Sequence, residues 1–157
     1  MNKLLYILLF LVLIGGLWYA YGRQSGVSLS EFFLSSNNVI TVGGVSMRVD
    51  VARTAQSRQQ GLSGRQDLGD VVGLLMVYDD ADYHGIWMRD MLFPIDVIWI
   101  GEDFQVVGIT RNITPESYPK IFEPPKPVKY VLETNVSFAQ VYGISVGDTA
   151  DIPKSLR

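Results

Sequence analysis

The 157-residue chain contains no cysteine and only one histidine, His84. The first absence excludes disulfides, thiolate metal centres, iron–sulfur clusters and a cysteine nucleophile. The second excludes any site that needs two imidazoles. Basic charge is not in excess either. Thirteen Lys and Arg against sixteen Asp and Glu give a formal net charge of −3, without the basic patch that a nucleic-acid surface requires. No nucleic-acid partner is expected, and no internal repeat is visible. A cysteine-free chain suits any redox compartment, so location must be read from other features.

Charge is likewise absent from residues 4–22, a run rich in Leu, Ile, Val and Phe and bracketed by Lys3 and Arg23. At about 1.5 Å per residue, a helix of that length roughly matches a hydrocarbon core of about 30 Å. Its eleven strongly apolar side chains, at about −0.3 to −0.6 kcal/mol each, bound the insertion energy at about −3 to −6 kcal/mol. Trp18, Tyr19 and Tyr21 fall where amphipathic rings favour the headgroup region. The run predicts an N-terminal transmembrane helix that anchors the chain in the bilayer. A cleaved secretory signal is the competing reading, since Ala20-Tyr21-Gly22 imitates a small-residue cleavage site. The length of the run argues against cleavage, and no cysteine follows to carry a lipid. Lys3 and the terminal amine before the span, against Arg23 alone after it, place the N-terminus in the cytoplasm. The expected location is the cell membrane, single-pass with an extracytoplasmic domain, or secretion where the segment is removed.

Residues 1–23 are thus read as anchor or signal, 24–38 as a linker rich in Gly, Ser and Asn, and 39–157 as one β-rich domain. The 134 residues beyond position 23 suffice for one core and not two. The domain is expected to open with a hairpin. Val39–Val42 leads into a Gly43-Gly44 turn and a return strand in which Val45, Met47, Val49 and Val51 alternate with Ser46, Arg48 and Asp50. Thr54 is placed to cap a short helix over Ala55–Gln60, ended by Gly61. Further strands are expected at Leu74–Tyr78, Gly85–Arg89, Ile95–Ile100, Phe104–Thr110, Val128–Glu133 and Thr149–Ile152. Asp79–Asp82 reads as an acidic loop and Pro115–Pro127 as a proline-rich one. Asn135 is placed to cap a second short helix. Short connections predict an α+β fold that is mainly antiparallel, with a curled or barrel-like sheet and one or two short helices packed on it.

Two charges break the apolar pattern. Asp96 shares a strand face with Ile98 and Ile100, and Glu133 shares one with Val131. An ionised carboxylate out of water is costly without a partner. Arg65 and Arg89, each in a short polar break, are the expected partners. One reading makes these groups buried ion pairs that fix loops to the sheet. The other makes Arg65, Arg89, Asp96 and Glu133 a ligand pocket beside Trp87, because a few charges among apolar walls are the usual form of a small-molecule site.

Five segments follow one another at characteristic spacing: Gly61-Leu62-Ser63-Gly64-Arg65, Gly73-Leu74-Leu75-Met76-Val77-Tyr78, Ile86-Trp87-Met88-Arg89-Asp90-Met91, Pro94-Ile95-Asp96-Val97-Ile98-Trp99-Ile100 and Val131-Leu132-Glu133. Together they resemble the DUF192 family, bacterial and archaeal domains of unknown function, over residues 39–152. The resemblance implies a compact β-rich α+β domain, often behind a signal peptide or single span, and implies no established activity. The family usually has methionine where Ser63 stands, phenylalanine before Trp87, lysine at Arg89 and Asn-Thr at Asp90-Met91. Asp90 therefore adds a negative charge beside Arg89, which tells against an anion-binding pocket.

Other chemistries fit less well. Asp80–Gly85 imitates the opening of a calcium loop, but Met91 stands where the bidentate Glu is needed. A serine hydrolase would have Ser63 without the spacing of a nucleophile elbow and His84 as its sole base. Asp96 and Glu133 are the carboxylate pair to consider for a glycosidase-like cell-envelope hydrolase, yet neighbouring arginines would lower both pKa values and disfavour a general acid. Binding a sugar without cleaving it is compatible with stacking faces on Trp87, Trp99 and Tyr130. The expectation is a binding or accessory domain without catalytic residues, metal or cofactor. It would meet the bilayer through residues 4–22 and a cell-envelope small molecule, sugar or protein through its pocket. The hydrolase is the alternative.

Overall fold

A computed structural model describes residues 38–69 and 72–157. The expected membrane span at 4–22 and the linker ahead of Asn38 lie outside the described residues. Among the described residues, no helix is long and apolar enough to cross a membrane.

Local chemistry sets the first elements. Strands β1 (Val39–Val42) and β2 (Val45–Ala52) pair antiparallel around Gly43 and Gly44. Both glycines have positive φ, a conformation that residues with a Cβ resist. Helix α1 (Ala55–Gln60) begins at Thr54 with a reciprocal capping box. The Thr54 hydroxyl accepts from Ser57 N at 3.0 Å, and the Ser57 hydroxyl accepts from Thr54 N at 3.0 Å.

The chain then crosses over, and β3 (Gly73–Asp82) runs parallel to β2. A parallel pair needs a long connection, and α1 with the loop behind it supplies one. Next come β4 (Ile86–Trp87), β5 (Ile95–Ile100), β6 (Val106–Ile113), β7 (Ile121–Phe122), β8 (Val128–Asn135), α2 (Phe138–Val141) and β9 (Ala150–Asp151). β4 and β7 pair as a small ribbon. The other seven strands form one sheet in the order β6-β5-β8-β3-β2-β1-β9. Its ends meet at a bridge between Gln105 and Thr149, flanked by bonds from Ala150 N to Phe104 O at 2.7 Å and from Val106 N to Asp148 O at 2.8 Å. Among the described residues the result is a curled, mostly antiparallel, barrel-like sheet with two short α-helices.

Alternation along each strand gives the sheet two apolar faces. Val49, Leu75, Ile98 and Leu132 point to the inner core with Phe138 of α2. Leu74, Met76, Val97 and Trp99 point outward, where Leu62, Met88 and Met91 cover them. Burial of both faces is why β5 is buried at every position and reads as a nearly continuous apolar run. Trp99, 1 % exposed, and Tyr130, 2 % exposed, are core residues, so neither offers the stacking face considered from the sequence.

Three local expectations are corrected. Asp79–Asp82 continues β3 instead of forming a loop, because Asp82 pairs with Val128 beyond a register shift. Asn135 ends β8, paired with Ile95, and Ser137 stands at the start of α2 with φ 67° and no side-chain cap. Ladder pairing has overridden Asn135's capping tendency. The proline-rich loop contains a 3-10 turn at Pro115–Ser117 and then β7, which pairs with β4.

Candidate functional site

Strand register decides which charged residues can meet. Asp96 pairs with Thr134, and Val97 pairs with Glu133. Cross-strand partners share a face, and neighbours along a strand do not. Asp96 and Glu133 therefore project from opposite faces of the sheet, and the expected convergence of both acids on one pocket is corrected. As a pair they cannot flank one scissile bond.

Asp96 is wholly buried on the inner side. Its Oδ1 accepts from Asn112 N at 2.9 Å, and its Oδ2 has no partner. Asn112, at φ 52°, lies where the β5–β6 register shifts between Ile95↔Ile113 and Val97↔Thr110. Asp96 thus fastens a β-bulge, and its partner is a backbone amide where an arginine had been expected.

On the outer side Asp50, Leu74, Glu133 and Val97 form one row across β2, β3, β8 and β5. Arg65, from the loop behind α1, donates Nη1 to Asp50 Oδ2 at 2.7 Å. Glu133 is 4 % exposed, and its Oε2 has no hydrogen-bond partner. Burial pushes this carboxyl up to about 7, and the positive charge of Arg65 offsets only part of that rise. Arg65 therefore influences Glu133 through space while its direct bond goes to Asp50. Arg89 also takes another partner. It lies 3.5 Å from Asp90, and its guanidinium sits 5.2 Å from the centre of the Trp87 ring.

Glu133 borders a cleft of about 310 Å³ that is also lined by Arg58, Gln60, Ser63, Tyr78 and Trp87. Arg58 projects from α1 over β3. Its Nη1 donates to the carbonyls of Val77, at 2.8 Å, and Arg53, and its guanidinium lies 4.7 Å over the Tyr78 ring. His84 stacks on the same tyrosine at 3.5 Å with the rings 9° apart. Burial raises the Tyr78 hydroxyl pKa. Arg58 opposes that rise, and the charge of Glu133 adds to it. Trp87, 40 % exposed, meets Tyr118 edge-on at 6.0 Å. Gly61 keeps the floor open, since a Cβ there would lie 3.3 Å from Met76 Cε and 3.8 Å from Glu133 Oε2.

Over residues 38–152 the sequence matches DUF192, described as "Uncharacterized ACR, COG1430". The chain belongs to the DUF192 family. Among solved structures it is similar to a protein of unknown function from Novosphingobium aromaticivorans, with 32 % identity and a TM-score of 0.68 over 72 % of this chain and 83 % of that one. It is also similar to a Sinorhizobium meliloti protein described as a candidate transcription regulator, with 27 % identity and a TM-score of 0.68 over 73 % of this chain and 92 % of that one. No curated protein matches.

Four of the five segments that carry the DUF192 resemblance contribute to this cleft. Gly61, Leu62 and Ser63 form the wall behind α1, Met76 and Tyr78 come from β3, Ile86–Met91 supplies Trp87, and Val131–Glu133 brings the carboxyl. A second, more polar cleft of about 310 Å³ shares Gln59, Gln60 and Ser63 with the first and is lined by Arg89 and Asp90. Glu133 and Trp87 therefore line one cleft, Arg89 lines the neighbouring cleft, Arg65 lines neither, and Asp96 lies across the sheet. Arg58, Tyr78 and Asp50 were not anticipated. Asp50 had shown its polar side in the alternation of β2. Arg58 and Tyr78 gave no sequence signal, because their meeting depends on the parallel crossover.

Proposed function

We propose that this DUF192 protein is a membrane-tethered, extracytoplasmic binding domain whose ligand site is the cleft beside Glu133. One observation carries the reading. A buried carboxyl with an unpartnered Oε2 borders an open cleft whose lining includes a partly exposed indole. Such a group costs stability in the empty protein, and a ligand that brings a hydrogen-bond donor offsets that cost. The volume stands at the small end of the roughly 300–1,000 Å³ typical of ligand pockets, which suits one small molecule. The uncharged run at 4–22, with Lys3 ahead of it, supports the tether and its orientation. The regulatory role in the description of the Sinorhizobium meliloti protein is not carried over, because a net charge of −3 offers little attraction to a phosphate backbone.

The test is Glu133→Leu in the full chain at pH 8, read by thermal unfolding. Loss of an acid kept for a ligand raises the midpoint. A lowered midpoint would make Glu133 a structural fixer and remove the support for the site. The tether is tested separately by washing membranes with alkaline carbonate. Retention in the pellet is expected, and release into the supernatant overturns it.

A further inference from the structure

We infer that the ligand is an uncharged pyranose sugar, with a ring face against Trp87 and hydroxyl groups bonded to Glu133. The inference rests on the reading of the cleft as a ligand site and adds its chemical class.

Charge balance argues for a neutral ligand. The first cleft holds Arg58 and Glu133, and the cleft beside it holds Arg89 and Asp90. A cation entering either one meets an arginine, and an anion meets a carboxylate. The Nη1 of Arg58 is already committed to two backbone carbonyls, and Arg89 to Asp90 and Trp87. One nitrogen of each guanidinium is thus already engaged within the protein, so an added carboxylate or phosphate would meet only the rest of each fork.

The remaining groups suit hydroxyls. On one wall Gln60 Nε2 already donates to Ser63 O at 2.9 Å and the Ser63 hydroxyl to Arg89 O at 2.8 Å. This leaves the Gln59 amide, the second Gln60 amide hydrogen and the oxygen lone pairs for a ligand, and Glu133 keeps a buried, unpartnered oxygen at the border of the cleft. Around neutral pH Glu133 populates its acid form, which both donates and accepts. A hydroxyl has the same double capacity, whereas an ammonium only donates. The indole supplies what a sugar ring needs besides hydrogen bonds, a flat apolar surface for its C–H face. Trp87 is braced for this by Arg89 over the ring and Tyr118 at its edge, so little side-chain freedom is lost on binding.

The experiment uses the full chain in a detergent without a sugar headgroup. Glucose, galactose, N-acetylglucosamine and their β-linked dimers are compared with cationic glucosamine, anionic glucuronate and zwitterionic alanine, by thermal midpoint and tryptophan fluorescence. At least one neutral sugar is expected to raise the midpoint by several degrees near saturation. Its affinity is expected to fall tenfold or more in Trp87→Ala and in Glu133→Leu, each checked for an unchanged far-ultraviolet circular dichroism spectrum. Binding of only the charged or zwitterionic probes overturns the sugar assignment. No response to any neutral sugar also overturns it, as does full affinity in Trp87→Ala. Those outcomes leave the ligand-site reading to the Glu133→Leu midpoint, so the two proposals can fail separately.

Discussion

Asp50 and Glu133 flank Leu74 in one row across three strands, and Arg65 bonds to Asp50 at 2.7 Å while Oε2 of Glu133 has no partner. The arginine has taken the more accessible acid, whose side chain is 23 % exposed. That choice avoids most of the desolvation cost of a deeply buried pair. It also leaves the other carboxyl in an apolar setting, softened only by a charge at a distance.

A pH dependence follows. Glu133 has an ordinary value of 4.5 and is pushed up to about 7 in the fold. Below 4.5 both folded and unfolded chains hold the proton, and ionisation costs nothing. Between those values the unfolded chain releases its proton first, so stability falls as pH rises. Above about 7 the full cost of about 3 kcal/mol stands. Urea unfolding of wild type and Glu133→Gln at pH 4 and pH 8 isolates the effect. The advantage of the variant is expected to grow by about 3 kcal/mol over that range, and a constant difference would contradict it.

Asp96 is expected to behave as a structural residue. Asp96→Ala removes the acceptor for Asn112 N inside the protein, at a cost of about 1–3 kcal/mol. Because Asp96 is on the other side of the sheet, any ligand response of the cleft is expected to keep its wild-type affinity. Loss of that response in a folded variant would show that the two faces are coupled.

Helix α1 depends on its first residue. Thr54→Ala removes the side-chain half of the capping box, the bond from Ser57 N to the Thr54 hydroxyl, and keeps the half donated by the backbone N of residue 54; the expected loss is about 1 kcal/mol. Hydrogen exchange at Arg58 and Gln59 is expected to quicken along with it, since α1 buries none of its residues and is tied to β3 through the Arg58 side chain.

Gly73→Ala is expected to be the most damaging of these changes. A Cβ at Gly73 would run into the backbone carbonyl of Glu133 on the paired strand. Backbone cannot step aside as a side-chain tip can, and the expected loss is about 3 kcal/mol. Chemical denaturation measures it. An unchanged midpoint would mean that β3 and β8 separate there without cost.

What was legible in the sequence was what neighbouring residues decide among themselves. The Gly43-Gly44 hairpin, the cap on α1 and the apolar run of β5 all follow from short-range chemistry, and each lies where expected. Asp96 and Glu133 stood out as acids in apolar strands, and both are buried. Their partners were not legible. The amide that holds Asp96 comes from a bulge in β6, and a backbone group carries no residue signature. The separation of the two acids depends on the pairing of Asp96 with Thr134, a one-residue matter of register that reverses every side chain when shifted. Arg58 meets Tyr78 only because β2 and β3 run in the same direction.

That shared direction has a consequence for how DUF192 proteins can diverge. After Ala52 the chain has to travel back along the outside of the sheet before β3 can start, and this return path supplies Arg58, Gln59, Gln60 and Ser63 to the cleft. On the proposed ligand-site reading, selectivity is written largely into a connecting segment, while cohesion resides in the strands beneath it. Loops tolerate substitution and length change far better than ladders do. The lining of the cleft can therefore change without the sheet being rebuilt.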